Sequence, residues 1–560
     1  MKERYLDLME AVLDAYTPEH IRAYTESVAS DGIKEHGFPR LTANLGVLIA
    51  HGRKTELQDD FLRMMELCCR EIPTARSRNG DNVGNEFSVK EIIFCLLEIE
   101  QAGIFAKSLT DGWRRELAKI DPYAVYSVIA EDPPKPINNW AAFGAASEQV
   151  RQYAGIGADL HFIENQIASQ LFCFDENGMY RDPNEPMVYD LVTRLQLAIA
   201  LWCGYDGADK DILEEQFMKS ADLTLLMQSV TAEIPYGGRS NQFLHNETFY
   251  AALCEFYAVL LQKHGDTVRA GQFKRAARLA TESICPWLQE TQIRHIKNLY
   301  PIDSGFGCES YAYFDKYMVT TGSWLYMAYL FADDLIEEMP CPSENGRYIC
   351  ETSQHFHKVF LKYADYFVEV DTNADTQYDA SGIGRIQKRG APSALCLSVP
   401  FTDIPHYQTD IVNPSGYSIC GGVCSENGAI YGFSPSVSYR LTDRIVTEDY
   451  VRIAFACEEN GIAFTQTVTV SDAGVEITVC GTGRMAVYFP LFAFDGERHT
   501  DIFSAGSDVW VTYRGYRCRY TTDGDIKLQE TVYENRNGRY RAAAIYGETQ
   551  VTLYVSIEAE

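Results

Sequence analysis

The chain changes its hydrophobic periodicity once, near Pro340, and that change constrains the fold more than any other feature. Up to about residue 335, apolar side chains recur at helical spacing in segments separated by short Gly-, Asn-, Asp- and Pro-containing breaks such as Arg78–Asn82 and Asp132–Pro136. From about residue 350, short alternating runs bounded by turns such as Glu458–Gly461 and Asp523–Asp525 take over. A segment of period 3.6 cannot settle as a strand, so the two halves belong to different fold classes.

The first half predicts helices near 3–15, 41–52, 57–71, 86–101, 109–119, 138–153, 158–172, 186–204, 210–228, 241–263, 268–288 and 309–336. Helices joined by such short loops pack as antiparallel hairpins, in a closed ring or a solenoid. No repeat of about 34 or 40 residues is present, which favours the ring. The second half predicts strands at 363–370, 430–441, 450–456, 462–470, 475–480, 485–491, 509–513 and 549–557. The expected architecture is an α-helical (α/α) toroid over residues 1–340 followed by an antiparallel β-sandwich over 341–560, with the boundary at 337–350. A chain of 560 residues exceeds one ordinary core, in keeping with this division.

Polar chemistry concentrates in Pro235–Tyr250, where a Pro-Tyr-Gly-Gly turn delivers Arg239, Gln242, His245, Asn246 and Glu247 to the start of a helix. Ser240 or Asn241 is the expected N-cap, and Arg239, Gln242 and Asn246 then share one helix face. A solvated first turn would use similar residues, but an arginine fork with amides and an imidazole suits a carboxylate. Asn139 and Trp140 cap the helix 138–153, as cap and core residue or as substrate contacts. A third concentration is Ile302–Tyr317, carrying Asp303, Glu309, Tyr311, Tyr313, Asp315 and Tyr317. If these lie on a helix, Tyr311 and Tyr313 cannot share a face. In the β half, His406 stands beside Tyr407 in a loop, as a structural donor or a site residue.

The formal charge of −29 argues against nucleic acid and anionic membrane as partners, and an anionic substrate would need a locally basic pocket. No run of eighteen apolar residues is present, so no segment is expected to span a membrane. The amphipathic start lacks an apolar signal core, and the 16 cysteines are scattered without zinc spacing. Free thiols and a cytoplasmic location are expected, and no metal or cofactor is implied. The Asn246–Thr248 sequon is accordingly discounted. Nothing in the residues fixes the oligomeric state.

The segment Asp303–Tyr313 resembles the Asp-Gly…Glu-Gly…Tyr…Tyr pattern of heparinase II/III-like and oligoalginate polysaccharide lyases, and His245–Tyr250 is similar to their Asn-His…Thr-aromatic-Tyr segment with imidazole and amide reversed. Ser304 and Ser310 stand where that pattern has glycine. The resemblance implies a helical toroid followed by a β domain along nearly the whole chain, matching the order read from periodicity. It also implies β-elimination at a 4-linked uronic acid. Tyr313 is then the first choice and Tyr311 the second for proton transfer, with His245 as partner base or acid and His406 reaching in from the β domain. Arg239, Asn246, Asn139, Gln242, Trp140 and Glu309 are the candidate binding residues, with an acidic oligosaccharide as substrate and exo action on short imported chains. Neutralising the carboxylate acidifies the C5 proton, which is what arginine and amide donors do. Two other readings are open. A glycoside hydrolase on the same toroid would use two carboxyl groups among Glu247, Asp303, Glu309 and Asp315. A non-catalytic carbohydrate-binding protein would keep its tyrosines buried.

Overall fold

The computed structural model describes residues 1–74, 83–424, 430–431, 437–459 and 461–560. The break at 78–82, part of the run 430–441 and Asn460 of the expected turn lie outside the described residues.

Fifteen helices precede the first strand among the described residues: α1 (Lys2–Leu13), α2 (Pro18–Asp31), α3 (Gly37–Ala50), α4 (Gln58–Glu71), α5 (Val89–Ala102), α6 (Lys107–Leu117), α7 (Pro122–Val125), α8 (Trp140–Tyr153), α9 (Leu160–Leu171), α10 (Met187–Trp202), α11 (Lys210–Leu226), α12 (His245–Lys263), α13 (Thr267–Leu288), α14 (Phe314–Phe331) and α15 (Pro342–Asn345). Six of them close a ring: α3 packs on α5, α5 on α8, α8 on α10, α10 on α12, α12 on α14, and α14 back on α3. Outer helices cover the ring, with α1 on α14, α4 on α3, α9 on α8 and α13 on α12. An inner helix is enclosed on all sides, so α10 and α12 are buried along almost their whole length and show no single apolar stripe. The (α/α) toroid is therefore present.

Three helices show why elements depart from the sequence reading. α2 was not expected, because only Ile21, Thr25 and Val28 of its residues are buried. Its signal lies in the cap, where Thr17 accepts a hydrogen bond from the His20 N–H and Pro18 opens the first turn. α12 begins at His245 rather than 241, since Gly237, Gly238, Ser240 and Gln242 all have positive φ and cannot be helical. α14 begins at Phe314, so Glu309 to Tyr313 form a loop and the helix-face argument for Tyr311 and Tyr313 does not apply.

The β half has seventeen strands among the described residues. A four-stranded antiparallel meander runs β1 (Tyr348–Glu351), β2 (Lys358–Tyr363), β3 (Tyr366–Asp371), β4 (Gly382–Lys388). The expected run 363–370 is thus a hairpin turning at Ala364 and Asp365, with Ala364 at φ 46°. An eight-stranded sheet has the order β12 (Asp501–Ala505), β13 (Asp508–Tyr513), β14 (Tyr516–Thr521), β17 (Gln550–Ala559), β10 (Gly474–Gly481), β9 (Ile462–Ser471), β8 (Tyr450–Glu459), β7 (Val437–Val446). A five-stranded sheet has the order β15 (Lys527–Asn535), β16 (Gly538–Gly547), β11 (Met485–Phe494), β5 (Cys420–Cys424), β6 (Ile430–Tyr431). The two smaller sheets meet through the Ile383–Ile419 bridge and share one core with the large sheet. β8, β9 and β10 alternate buried with part-exposed residues, so the large sheet is covered on one face only. This is the expected antiparallel sandwich.

The sandwich is fastened to the toroid by buried polar contacts. Arg385 donates 2.6 Å hydrogen bonds to the carbonyls of Ser398 and Ile234. Lys358 Nζ lies 3.3 Å from the centre of the Tyr236 ring. Arg536, in the turn between β15 and β16, reaches Gly307 and Glu309 of the helical half. Among the described residues, no helix is long and apolar enough to cross a membrane.

Candidate active site

All six inner helices begin on the same rim. Residues from their first turns or from the segments just before them surround a cavity of about 400 Å³, among them His36 and Arg40 (α3), Phe87 (before α5), Trp140 (α8), Tyr189 (α10), His245 (α12), and Lys316 and Tyr317 (α14). Six positive dipole ends thus face one space, which favours a negative charge there. The side chains add to this field. Arg40, Arg239 and Lys316 line the cavity against a single described carboxylate, Glu35. The pocket is locally basic in a chain of charge −29.

Ser240 organises one wall. It is buried at φ 58°, a conformation uncommon for a residue with a side chain. Its N–H donates to Glu309 Oε1 at 2.6 Å. Glu309 in turn accepts two hydrogen bonds from Arg536, at 2.6 and 3.1 Å, and the Arg536 carbonyl accepts one from Asn298 at 2.8 Å. The Ser240 hydroxyl then stands 3.1 Å from the Tyr189 hydroxyl, 3.1 Å from that of Tyr311 and 3.4 Å from that of Tyr317. Arg239 stacks on Tyr189 at 4.3 Å, donates to the carbonyl of Pro183 and pairs with Asp182, which also accepts the Asn139 backbone N–H.

The structure brings Tyr311, His245, Arg239 and Trp140 to the cavity. Asn139 and Glu309 stand behind the wall rather than on it. Gln242 and Asn246 depart from the expected polar face. The Asn246 carboxamide accepts from the Phe243 N–H and donates to the Ser240 carbonyl, so it builds the turn, and at 1 % exposure it cannot carry a glycan. Gln242 points to Asn241 and Asn537. Both follow from the start of α12 at His245, which leaves no helix face joining positions 239, 242 and 246. Tyr313 and His406 lie together in an adjoining cavity of about 680 Å³, lined also by Asp303, Glu309 and Asp315. Of these, Asp315 pairs with His20 at 2.9 Å. Glu247 is bridged by Lys297 to Glu233 in a separate buried network. The sequence reading assigned no role to Arg40, Lys316, Tyr317 or Arg536, and gave Ser240 or Asn241 only as an N-cap, a position that Leu244 takes instead. Lys316 and Tyr317 continue the tyrosine-rich segment and were within reach of it, whereas Arg536 is 227 residues from its partner and carries no local signal.

Burial sets the protonation states. It pushes the His245 imidazole well below its ordinary pKa, with Arg40 and His295 adding to the effect, so the ring is neutral at pH 7. Nδ1 of His245 is buried without a partner, and the ring packs between Phe243 and Tyr317 at 5.5 and 4.8 Å. Burial raises the Tyr311 and Tyr317 phenols, with Tyr189 next in effect, and keeps both protonated. Lys316 is lowered and Glu35 raised, again by burial first. Among the described residues, no group of three or more His, Cys, Asp and Glu side chains converges as a metal ion would need.

No protein-family model matches the chain, and no curated protein sequence matches it significantly. Among solved structures, it is similar to a mutant chondroitin AC lyase from Streptomyces coelicolor A3, at 11 % identity and a TM-score of 0.50, over 94 % of this chain and 74 % of that one. It is also similar to a heparinase III, at 8 % identity and a TM-score of 0.38, over 85 % of this chain and 77 % of that one. A family 127 β-L-arabinofuranosidase from Geobacillus stearothermophilus T6 matches at 10 % identity and a TM-score of 0.38, over 99 % and 98 % of the two chains. The likeness to the chondroitin AC lyase is one of fold, a helical toroid followed by antiparallel sheets, and the two weaker matches add no argument to it.

Proposed function

We propose that this chain is a carbohydrate-active enzyme that cleaves a 4-linked uronic acid in a short acidic oligosaccharide by β-elimination. The observation that carries the reading is the charge of the cavity, where three cations and six helix N-termini gather in a strongly acidic chain. A pocket of this kind offsets the long-range repulsion that would keep an anionic sugar away. It also stabilises the extra charge that develops on the carboxylate as the C5 proton leaves.

The step then needs one base and one acid. Neutral His245 has an acceptor nitrogen, and a bound carboxylate would raise its affinity for a proton. It takes the proton from C5, the C5–H electron pair becomes the C4–C5 double bond, and the C4–O bond breaks. Tyr311, kept as a phenol, donates its proton to the departing oxygen. Transfer from the imidazolium to the tyrosinate through solvent resets the pair. The Ser240 hydroxyl holds Tyr311 in place and links it to Tyr189 and Tyr317. Such an acid–base pair contributes roughly 10²–10⁴-fold for each partner.

A hydrolase is the second reading, and it belongs to the adjoining cavity, where Asp303, Glu309 and Asp315 stand. Glu309 is held there by Arg536 and Asp315 by His20, so neither is free for acid–base work without rearrangement. The two readings separate on ultraviolet absorbance during incubation with a panel of uronate oligosaccharides. A new conjugated double bond is expected. Cleavage without that absorbance, abolished by Asp315→Asn and not by Tyr311→Phe, would replace the lyase reading with the hydrolase.

A further inference from the structure

The three cations of the cavity are not equivalent. Arg40 is committed to Glu91 at 3.1 Å, to Thr320 at 2.7 Å and to the Phe87 carbonyl at 3.2 Å. Arg239 is committed to Asp182 and to the Pro183 carbonyl. The Lys316 ammonium, half-buried in the first turn of α14, has neither a hydrogen bond nor an ion pair among the described residues, and it lies 5.7 Å from the centre of the Tyr313 ring. The one carboxylate of the cavity, Glu35, acts on it only through space. Glu35 accepts the Tyr24 hydroxyl and the Gly37 N–H, and no ion pair joins it to Lys316.

A half-buried ammonium that faces a cavity with three donors and no protein acceptor is placed to bind an anionic group there. We infer that Lys316 is the residue that selects acidic over neutral sugars, by taking the carboxylate of a uronic acid bound in this cavity. The inference rests on the reading of the cavity as a uronate site. It moves the carboxylate contact from Arg239, the residue the sequence favours, to a lysine five residues beyond Tyr311 and three beyond Tyr313. The remaining walls suit the rest of such a ligand, with Trp140 offering an aromatic face and the hydroxyls of Tyr189, Tyr311 and Tyr317 clustered around Ser240. Arg40 and Arg239, each already paired with a carboxylate, then hold the wall rather than the ligand. A direct charge-assisted bond contributes about 1.5–3 kcal/mol, roughly a ten- to hundredfold change in affinity.

The test measures binding of glucuronate and of glucose by calorimetry to the whole protein and to Lys316→Met. The wild type is expected to prefer glucuronate by at least roughly tenfold. Lys316→Met should bring the two sugars within about twofold by weakening glucuronate alone, and Lys316→Arg should restore most of the preference. Lys316→Gln replaces Lys316→Met if melting shows the latter unfolded. A wild type without the preference, or a folded neutral variant that retains it, overturns the assignment. The absorbance assay of the wild type is read separately. A protein that prefers glucuronate through Lys316 but forms no double bond would refute β-elimination and leave the carboxylate contact standing.

Discussion

Ser240 shows how much of this site rests on one atom. Its hydroxyl is the common neighbour of three tyrosines, so the position of the Tyr311 oxygen depends on a residue that is not itself expected to transfer a proton. Tyr311→Phe removes only an oxygen and should lower turnover at least roughly a hundredfold while KM stays near its original value. Tyr313→Phe, in the adjoining cavity, should stay within a few-fold of the wild type. Steady-state kinetics of the two variants on one active uronate substrate check this, and the reverse order would return the acid role to Tyr313. The buried imidazoles make a second expectation at this scale. His36, His245 and His295 are all lowered by burial, His295 to about 4, so below about pH 6.5 the unfolded chain binds protons that the folded one refuses. Stability contributed by the neutral rings is complete above that pH and is lost as pH falls toward 4. Melting temperature should fall over this interval, and His295→Gln should flatten the fall; an unchanged slope would contradict the assignment of a neutral His295.

At the scale of elements, the decisive contact joins a loop of the helical half to a turn between two strands. Gly307 approaches that turn so closely that an added Cβ would sit 2.6 Å from the Arg536 carbonyl oxygen, and its φ of 79° is itself unfavourable for alanine. Glu309 meets Arg536 in a pair that is almost fully buried. Glu309→Gln leaves that guanidinium without a counter-charge, which costs about 3–5 kcal/mol. The expected outcome is a clear drop in melting temperature together with lost activity. A Glu309→Gln protein as stable as the wild type but inactive would instead mark Glu309 as a catalytic carboxyl. The inner helices α10 and α12 were readable as long, mostly apolar runs, because burial on all sides selects such sequence. The first residue of α12 and of α14 was not, because four positive-φ residues and an extended Tyr313 are conformations that composition does not announce.

For the whole molecule, the toroid and the sandwich share polar contacts that neither could satisfy alone. Arg385 reaches the Ile234 carbonyl, Asn298 and Gly307 reach Arg536, and Lys358 covers Tyr236. The connection between the last long helix and the first strand carries exposed Leu335 and Met339, so limited proteolysis is expected to cut near 337–350. The two fragments should nonetheless co-elute on size exclusion and keep activity, while residues 1–340 expressed alone should be inactive. Fragments that separate freely under native conditions would show that the interface contributes little to the site.

Two properties were fixed by the amino-acid sequence. The change of period near Pro340 determines a helical half and a strand half, because periods of 3.6 and 2 place apolar atoms on incompatible faces. The clustering of Arg239, His245 and the tyrosines along two short segments determines where the polar chemistry concentrates. Which of those side chains meet was decided only by tertiary structure. Closing the ring gathers six helix N-termini whose residues are far apart in the chain, and docking the sandwich lets Arg536 hold Glu309 across 227 positions. Local sequence carries no record of such contacts. They arise from long-range packing, and it is packing that turns Asn246 and Gln242 into the turn, separates Tyr313 from Tyr311, and leaves the Lys316 ammonium facing the cavity with no hydrogen bond or ion pair among the described residues.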